Sequence, residues 1–346
     1  MSVLSKLIVA VTAARALAIQ QPLRLTPCLA INPPSIPAPT LPTSISRHPA
    51  IVLLNRVLLE PSECEAAAED ELVARLSPDD PRTIHVREHL KAESGQELRA
   101  GLLDAGATDS AQLEWVASDA GAPPTTVKTL QLRLSPAKRL LKPLAAHERP
   151  RVDLLLAMPR PLQFGRLLPM LSSMGVDTLW LTEADRVPKN YFGSQLLRPE
   201  RKAELRAALV NGLEQSGDTA VPRCLVRRNL KALLRDELPR ISKQAPGEAS
   251  TGKLIRLVCH PERLDATTEP PVPIGEALAD VSADDRVLLA IGPERGWAEP
   301  EELELFAEHG FTAVTLGPRT LRTDVAAISL LAVTHERLEA ARRRGM

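Results

Sequence analysis

"IGPERGWAEPEELELFAEHGFTAVTLGPRTLRTD", residues 291–324, decides the fold. It contains Gly-Pro twice, at 292–293 and at 317–318, each time directly after a short apolar run. Between the two runs lies a helical segment with Pro300 near its start and Gly310 at its end, the residues that open and close helices. Strand, helix and strand in one sheet form a right-handed crossover, so strands 287–291 and 311–316 are expected to be parallel neighbours. Both Gly-Pro turns then open on the carboxyl edge, where open α/β sheets bind ligands. Glycine lets a ligand approach main-chain N–H and C=O groups, and proline stiffens the loop. Two such loops side by side make a slot lined by Leu289, Ile291, Leu316 and Leu321. The slot suits a flat ring with donors and acceptors on its edge, such as adenine. It does not suit a triphosphate: neither loop reads G-x-G-x-x-G, and no acid follows at the ribose-binding spacing.

The pattern extends upstream. "VDLLLAM" (152–158) is a continuous apolar strand, "PLQFGRLLPMLSSMG" a helix stopped by Gly175, and "VDTLWLTE" a second strand. "RPERKAELRAALVNGLEQSG" is an amphipathic helix stopped by Gly217; "RCLVR", a helix near 229–236, "KLIRLVCH" and "RVLLAIG" follow, and a last helix starts at Asp324. Apolar strands alternating with helices predict a mostly parallel sheet covered on both faces. Before residue 135 the period differs. "AIVLLNRVLLE" (50–60) reads as a strand, residues 82–117 as a short basic helix and two strands joined by a Gly turn, and "TTVKTLQLRL" (125–134) as a half-buried strand. Short strands with Gly turns predict a small β-barrel over 50–134. "SPAKRLLKPLAAHERPR" (135–151) is a basic linker, and 152–346 form the α/β domain.

The formal charge is zero, with 43 acids and 43 Lys and Arg, but residues 1–59 contain no acid at all. An even spread would place roughly seven there. The same stretch holds the Pro/Ser-rich "INPPSIPAPTLPTSISRHP" and the apolar run "KLIVAVTAARALA". A basic, acid-free leader is expected to be an organellar targeting peptide over 1–49, and its apolar run is too short to span a bilayer. Cys28, Cys64, Cys224 and Cys259 form no C-x-x-C and have no His at ligand spacing, so neither a metal site nor a disulfide framework is expected. Three Trp, one Tyr and four Phe are too few for a base-stacking platform. "GEASTGKL" (247–254) fits G-x-x-x-x-G-K, yet Leu254 stands where Ser or Thr is needed and a strand follows, so it reads as a surface loop.

"LLAIGPERGW" (288–297) and "FTAVTLGPRTLRTD" (311–324) together resemble the paired signature of the RsmE family of 16S rRNA uridine-N3 methyltransferases, whose loops read roughly IGPEGG and LGPRILRTETA. "IHVREHLKAESGQELRAG" and "LEQSGDTAVP" are similar to further parts of that family, and the resemblance covers about 52–335. It implies a SPOUT-type parallel sheet with a C-terminal trefoil knot, preceded by a PUA-like β-barrel that binds RNA. It also implies S-adenosylmethionine as cofactor, small-subunit rRNA as partner and a homodimer. Carried over residue by residue, the cofactor positions are Leu289, Ile291, Gly292, Pro293, Glu294 and Gly296, then Leu316, Gly317, Pro318, Arg319, Leu321, Arg322 and Thr323. Three departures stand out. Arg295 replaces a glycine, which either keeps that stretch away from the cofactor or reaches out to phosphate. Asp324-Val325 replaces Glu-Thr, with Asp324 still expected to cap the last helix. "MLSSMG" lacks the Lys and Glu of the common helix motif.

Uracil N3 offers its lone pair only when its proton leaves, so such a site needs a proton acceptor or positive charge for the anion on O2 and O4. Arg322 is the candidate for anion stabilisation and Glu294 for orienting the cofactor or acting as base. Arg82, Arg87, Lys91, Lys138, Arg139, Lys142 and Arg160, clustered between barrel and sheet, are the candidates for a joint RNA-backbone patch. Two other readings are a SPOUT methyltransferase acting on another RNA or ring position, and a non-catalytic RNA-binding ribosome-assembly protein.

Overall fold

The computed structural model describes residues 56–68, 70–117, 128–239, 252–261 and 270–345. The expected leader and most of the G-x-x-x-x-G-K stretch lie outside these residues. The first sheet has six strands: β1 (Val57–Leu59), β2 (Cys64–Ala68), β3 (Glu71–Leu76), β4 (Glu97–Leu102), β5 (Ala107–Ala117) and β6 (Lys128–Leu134). Their order is β1-β4-β5-β6-β3-β2, with β1 and β4 parallel and the other pairs antiparallel. Alternate residues of β3, β4, β5 and β6, among them Leu72, Ala74, Leu98, Leu113, Leu130 and Leu132, fill one apolar core. The sequence reading had no β2 or β3. "ECEAAAEDELVARL" is rich in helix formers, and cross-strand pairing overrides that propensity here.

The second sheet is parallel throughout: β7 (Val152–Ala157), β8 (Val176–Thr182), β9 (Arg223–Arg227), β10 (Leu254–Cys259), β11 (Val272–Pro273), β12 (Arg286–Ile291) and β13 (Thr312–Thr315). Four main helices accompany it: α1 (Pro161–Ser173), α2 (Lys202–Ser216), α3 (Glu301–Glu308) and α4 (Thr323–Arg344). β7 and β8 are buried at every position, as strands covered on both faces must be.

The strand order β11-β13-β10-β12-β7-β8-β9 corrects one expectation. β12 and β13 are parallel but not neighbours, because β10 lies between them and pairs with both, Leu257 facing Leu289 on one side and Thr312 on the other. The crossover rule gives direction and hand, whereas adjacency depends on which strands already hold the places. Here β12 enters between β10 and β7, two strands earlier in the chain.

The two sheets are clamped together by the segment that follows α2. α2 ends at Gly217, whose φ of +76° is one that glycine adopts freely. The turn that follows delivers Thr219, which donates its hydroxyl to Ala105 O (2.7 Å) and accepts the Asp104 N–H at its carbonyl (2.8 Å). Arg149 then bridges Asp104 (2.9 Å) and Asp177 (2.7 Å). Asp177, 2% exposed, also receives Arg223 at 2.8 Å and Arg286 at 3.1 Å. Burial works against its ionisation. The Arg149 hydrogen bond and the charges of Arg149, Arg223 and Arg286 outweigh burial and hold the carboxyl below its ordinary value. A carboxylate depressed in this way stabilises the fold fully above its unfolded pKa of about 4, and the contribution is lost as pH falls through the lower folded value. Asp177→Asn leaves three arginines around a neutral amide. The expected cost is about 3–5 kcal/mol, read by scanning calorimetry at neutral pH as a midpoint lower by roughly 6–10 °C. The difference should shrink under acid conditions.

Candidate active site

The carboxyl ends of β10, β12 and β13 meet at one open cleft. Its first wall is the loop after β12. There the Gly296 N–H bonds to Pro293 O at 2.8 Å, and Gly296 has a φ of +73°. Beneath this loop Trp297 is fully buried, edge-on to Phe306 at 4.7 Å, which packs in turn on Phe311 at 5.0 Å. Glu302 fastens the loop from α3, accepting the N–H groups of Ala298 (2.6 Å) and Asp185 (2.8 Å). The second wall is the loop after β13. Its turn is closed by Thr315, whose hydroxyl donates to Gly317 O (3.0 Å) and accepts Gly317 N–H (3.1 Å).

Most of the carried-over residues converge on the cleft. Ile291, Gly292, Pro293, Glu294, Gly296, Leu316, Arg319, Leu321 and Thr323 line it. Four others do not. Leu289 is fully buried within β12 and supports the floor from behind. Gly317, Pro318 and Arg322 stand outside the lining. The two loop glycines have different reasons to be glycine. A Cβ on Gly292 would sit 3.2 Å from Trp297 atoms, so that residue makes room for the indole. A Cβ on Gly317 would meet nothing within 4 Å, but its φ of +115° strains any L side chain. Asp324 serves the last helix from within its first turn, accepting Val325 N–H at 3.0 Å, because Arg322 occupies the cap position itself.

The sequence reading missed residues contributed by β10 and α4. Cys259, His260 and Pro261 form the cleft floor between the loops, with Ala326 and Leu330 behind. His260 is buried; its N–H bonds to Val314 O at 3.0 Å, and its Nε2 lies 2.7 Å from Glu299 Oε1. "KLIRLVCH" was legible as a strand. Its place between the other two was not, so nothing pointed to His260.

The charged rim has two groups. Arg322 Nη2 is 2.8 Å from Asp324 Oδ2, and Gln163 of α1 also bonds that carboxylate. Arg322 is 73% exposed. Across the cleft Arg160 Nη2 is 3.0 Å from Glu294 Oε2, and Tyr191, then Glu294, hold the Arg160 guanidinium charged above its ordinary range. Arg160 therefore belongs to the cleft mouth.

Of the other RNA candidates, Arg82 is a correction. Its five N–H donors are all engaged, by Asp80 (3.0 and 2.7 Å), Glu63 (2.9 and 2.7 Å) and Leu58 O (2.9 Å), so it ties β1 to the segments beside it and has no donor left for phosphate. Arg87 reaches Pro78 O and Glu88. Lys91, Lys138, Arg139 and Lys142 are exposed. Changing Lys138, Arg139 and Lys142 together to Ala is expected to weaken RNA binding and make its salt dependence shallower by about 2 in log–log slope. Affinity for cofactor should not move, and filter binding across a salt series checks both.

A sequence model of the RNA methyltransferase domain matches residues 147–335. The ribosomal RNA small subunit methyltransferase E of Treponema pallidum (strain Nichols) is 30% identical over 260 residues, an alignment covering 75% of this chain and 84% of that protein. Ribosomal RNA small subunit methyltransferase E 1 of Borreliella burgdorferi is 23% identical over 201 residues, covering 58% and 74%. The fold is similar to the crystal structure of a ribosomal RNA small subunit methyltransferase E from Neisseria gonorrhoeae bound to S-adenosyl methionine, with a TM-score of 0.53 at 17% identity over 82% of this chain and 97% of that one. The fold, the cleft and the matched domain together define an RNA methyltransferase. The chain belongs to the ribosomal RNA small subunit methyltransferase E family.

Proposed function

We propose that this chain transfers a methyl group from S-adenosylmethionine to N3 of a uridine in small-subunit rRNA of an organelle. The observation that carries the reading is the cleft. Leu316 and Leu321 are large apolar side chains left 38% and 36% exposed, and both face a space walled by main chain. Exposed leucines beside main chain fit an apolar ring with a polar edge. Ile291, Leu316, Leu321, Ala326 and Leu330 would hold such a group, with Thr315, Thr320 and Thr323 offering polar contacts. When bound, S-adenosylmethionine supplies a methyl group already activated on a sulfonium.

The chain's own part is alignment and charge. Fixing two reactants in line is worth up to roughly 7–11 kcal/mol of barrier. Arg322 is exposed at the rim and outside the cofactor lining, which supports a role toward the second substrate, its charge stabilising the anion on uracil O2 and O4. Glu294, held by Arg160, faces the cleft and accepts a proton or orients the cofactor amine. The entry of β12 between β10 and β7 supports a trefoil knot in the C-terminal part. A homodimer is supported by Leu162 (71% exposed), Met170 and Val325, large apolar side chains on α1 and the start of α4 around the Gln163–Asp324 hydrogen bond.

Titration calorimetry with S-adenosylmethionine tests the reading. Stoichiometric binding is expected, and an absence of binding favours the non-catalytic ribosome-assembly alternative. The acid-free leader supports organellar targeting. A chain beginning at Ala50 is therefore expected to keep its thermal midpoint and activity, and a large fall in either would show that residues 1–49 contribute to the folded body.

A further inference from the structure

Arg295, where the family has glycine, takes up a backbone conformation with negative φ, so the side chain is accommodated without strain. Its carbonyl receives Arg186 Nη1 at 2.9 Å, and its own guanidinium is exposed. Arg186 follows β8, and Arg228 follows the edge strand β9, where its carbonyl accepts the Glu183 N–H at 3.1 Å. The Arg228 side chain, 64% exposed, lies over Phe192 at 5.2 Å and keeps only a long contact of 3.9 Å with Glu183. All three arginines leave the carboxyl edge of one parallel sheet, the edge that carries the cofactor cleft. Glu183 and Asp185 lie in the loop after β8 and Glu294 and Glu299 in the loop after β12, yet neither Arg186 nor Arg295 forms a salt bridge among the described residues. Guanidinium groups with open donors, one of them stiffened on an aromatic ring, are the chemistry that holds phosphate.

We infer that Arg295, Arg228 and the bridging Arg186 form a phosphate-binding track that seats the backbone of the single-stranded target at the mouth of the cleft. The inference rests on the proposed methyltransferase reading and adds to it a surface separate from the basic linker at 138–142. A base that enters the cleft brings its flanking phosphates beside it, and the track starts at Arg295, the residue next to the cleft-lining Glu294.

The test uses the full chain and a fluorescein-labelled single-stranded oligouridine, followed by anisotropy across a salt series. In the double variant Arg228→Gln/Arg295→Gln the log–log slope of affinity against salt is expected to become shallower by about 1.4, the loss of two phosphate contacts to a single strand. With rRNA as substrate, KM rises several-fold, kcat at saturating RNA holds, and calorimetric affinity for S-adenosylmethionine is unchanged. Arg186→Gln should raise KM likewise. An unchanged salt slope together with an unchanged KM in the double variant would overturn the inference while leaving the methyltransferase reading intact. A wild-type chain that binds no S-adenosylmethionine overturns the reading instead, and the salt slope still decides the arginines.

Discussion

Replacing Gly317 with Val should lower affinity for S-adenosylmethionine by about 10- to 10²-fold while the global fold survives. Space is not the reason, because a Cβ at this position meets no atom within 4 Å. The backbone is. Gly317 holds φ at +115°, and Thr315 locks that turn by bonding both its N–H and its carbonyl. A β-branched residue at such a φ costs about 1–3 kcal/mol, so the loop relaxes elsewhere and must be rebuilt each time ligand binds. At 1.4 kcal/mol per decade that strain accounts for the affinity lost. Leu316 precedes the turn and Leu321 follows it, so the shift removes both apolar contacts. Lys253→Ala, in the former G-x-x-x-x-G-K stretch, should leave affinity unchanged, since Lys253 does not line the cleft. Calorimetry on the two variants checks this directly, and the reverse pattern would move the ligand site to the other loop.

Arg322→Ala should cut the turnover rate about 10²-fold at saturating RNA, the usual effect of removing one preorganised donor from a developing oxyanion. Its guanidinium touches Asp324 and Gln163 at the rim and is absent from the cofactor lining, so affinity for S-adenosylmethionine should hold. Single-turnover kinetics separates this from binding. A wild-type rate at saturating RNA would reduce Arg322 to an RNA contact and move the proton-transfer step to Glu294, with Glu294→Gln the next variant to measure.

The two Gly-Pro loops were legible because they combine local and directional information. An apolar run fixes each strand, Gly-Pro fixes each exit, and handedness puts both exits on one edge. That was enough to bring Ile291, Gly292, Pro293, Leu316 and Leu321 to one cleft, while Glu294, Gly296 and Thr323 came from the family resemblance. What the pattern lacked was strand order. β10 joins the sheet between β12 and β13 through pairings that no local period encodes, and His260 arrives with it. Arg82 failed for a different reason. As a basic residue among basic neighbours it looked like part of a phosphate patch, whereas Glu63 and Asp80, distant or unremarkable in the sequence, use all its donors in the fold. Arg160 shows the converse: it was read as an RNA contact and lies 3.0 Å from Glu294, a residue more than a hundred positions away. Position in a linear charge run says little about partners when those partners are set by sheet topology.

The most direct test is nucleoside mass spectrometry of unmodified small-subunit rRNA incubated with the purified protein and S-adenosylmethionine carrying an isotopically labelled methyl group. The label is expected in 3-methyluridine at one position, and it should be lost with Gly317→Val at limiting cofactor and strongly slowed with Arg322→Ala. Label in a different nucleoside would contradict the uridine-N3 assignment. No transfer from a chain shown to bind S-adenosylmethionine would contradict the catalytic account itself.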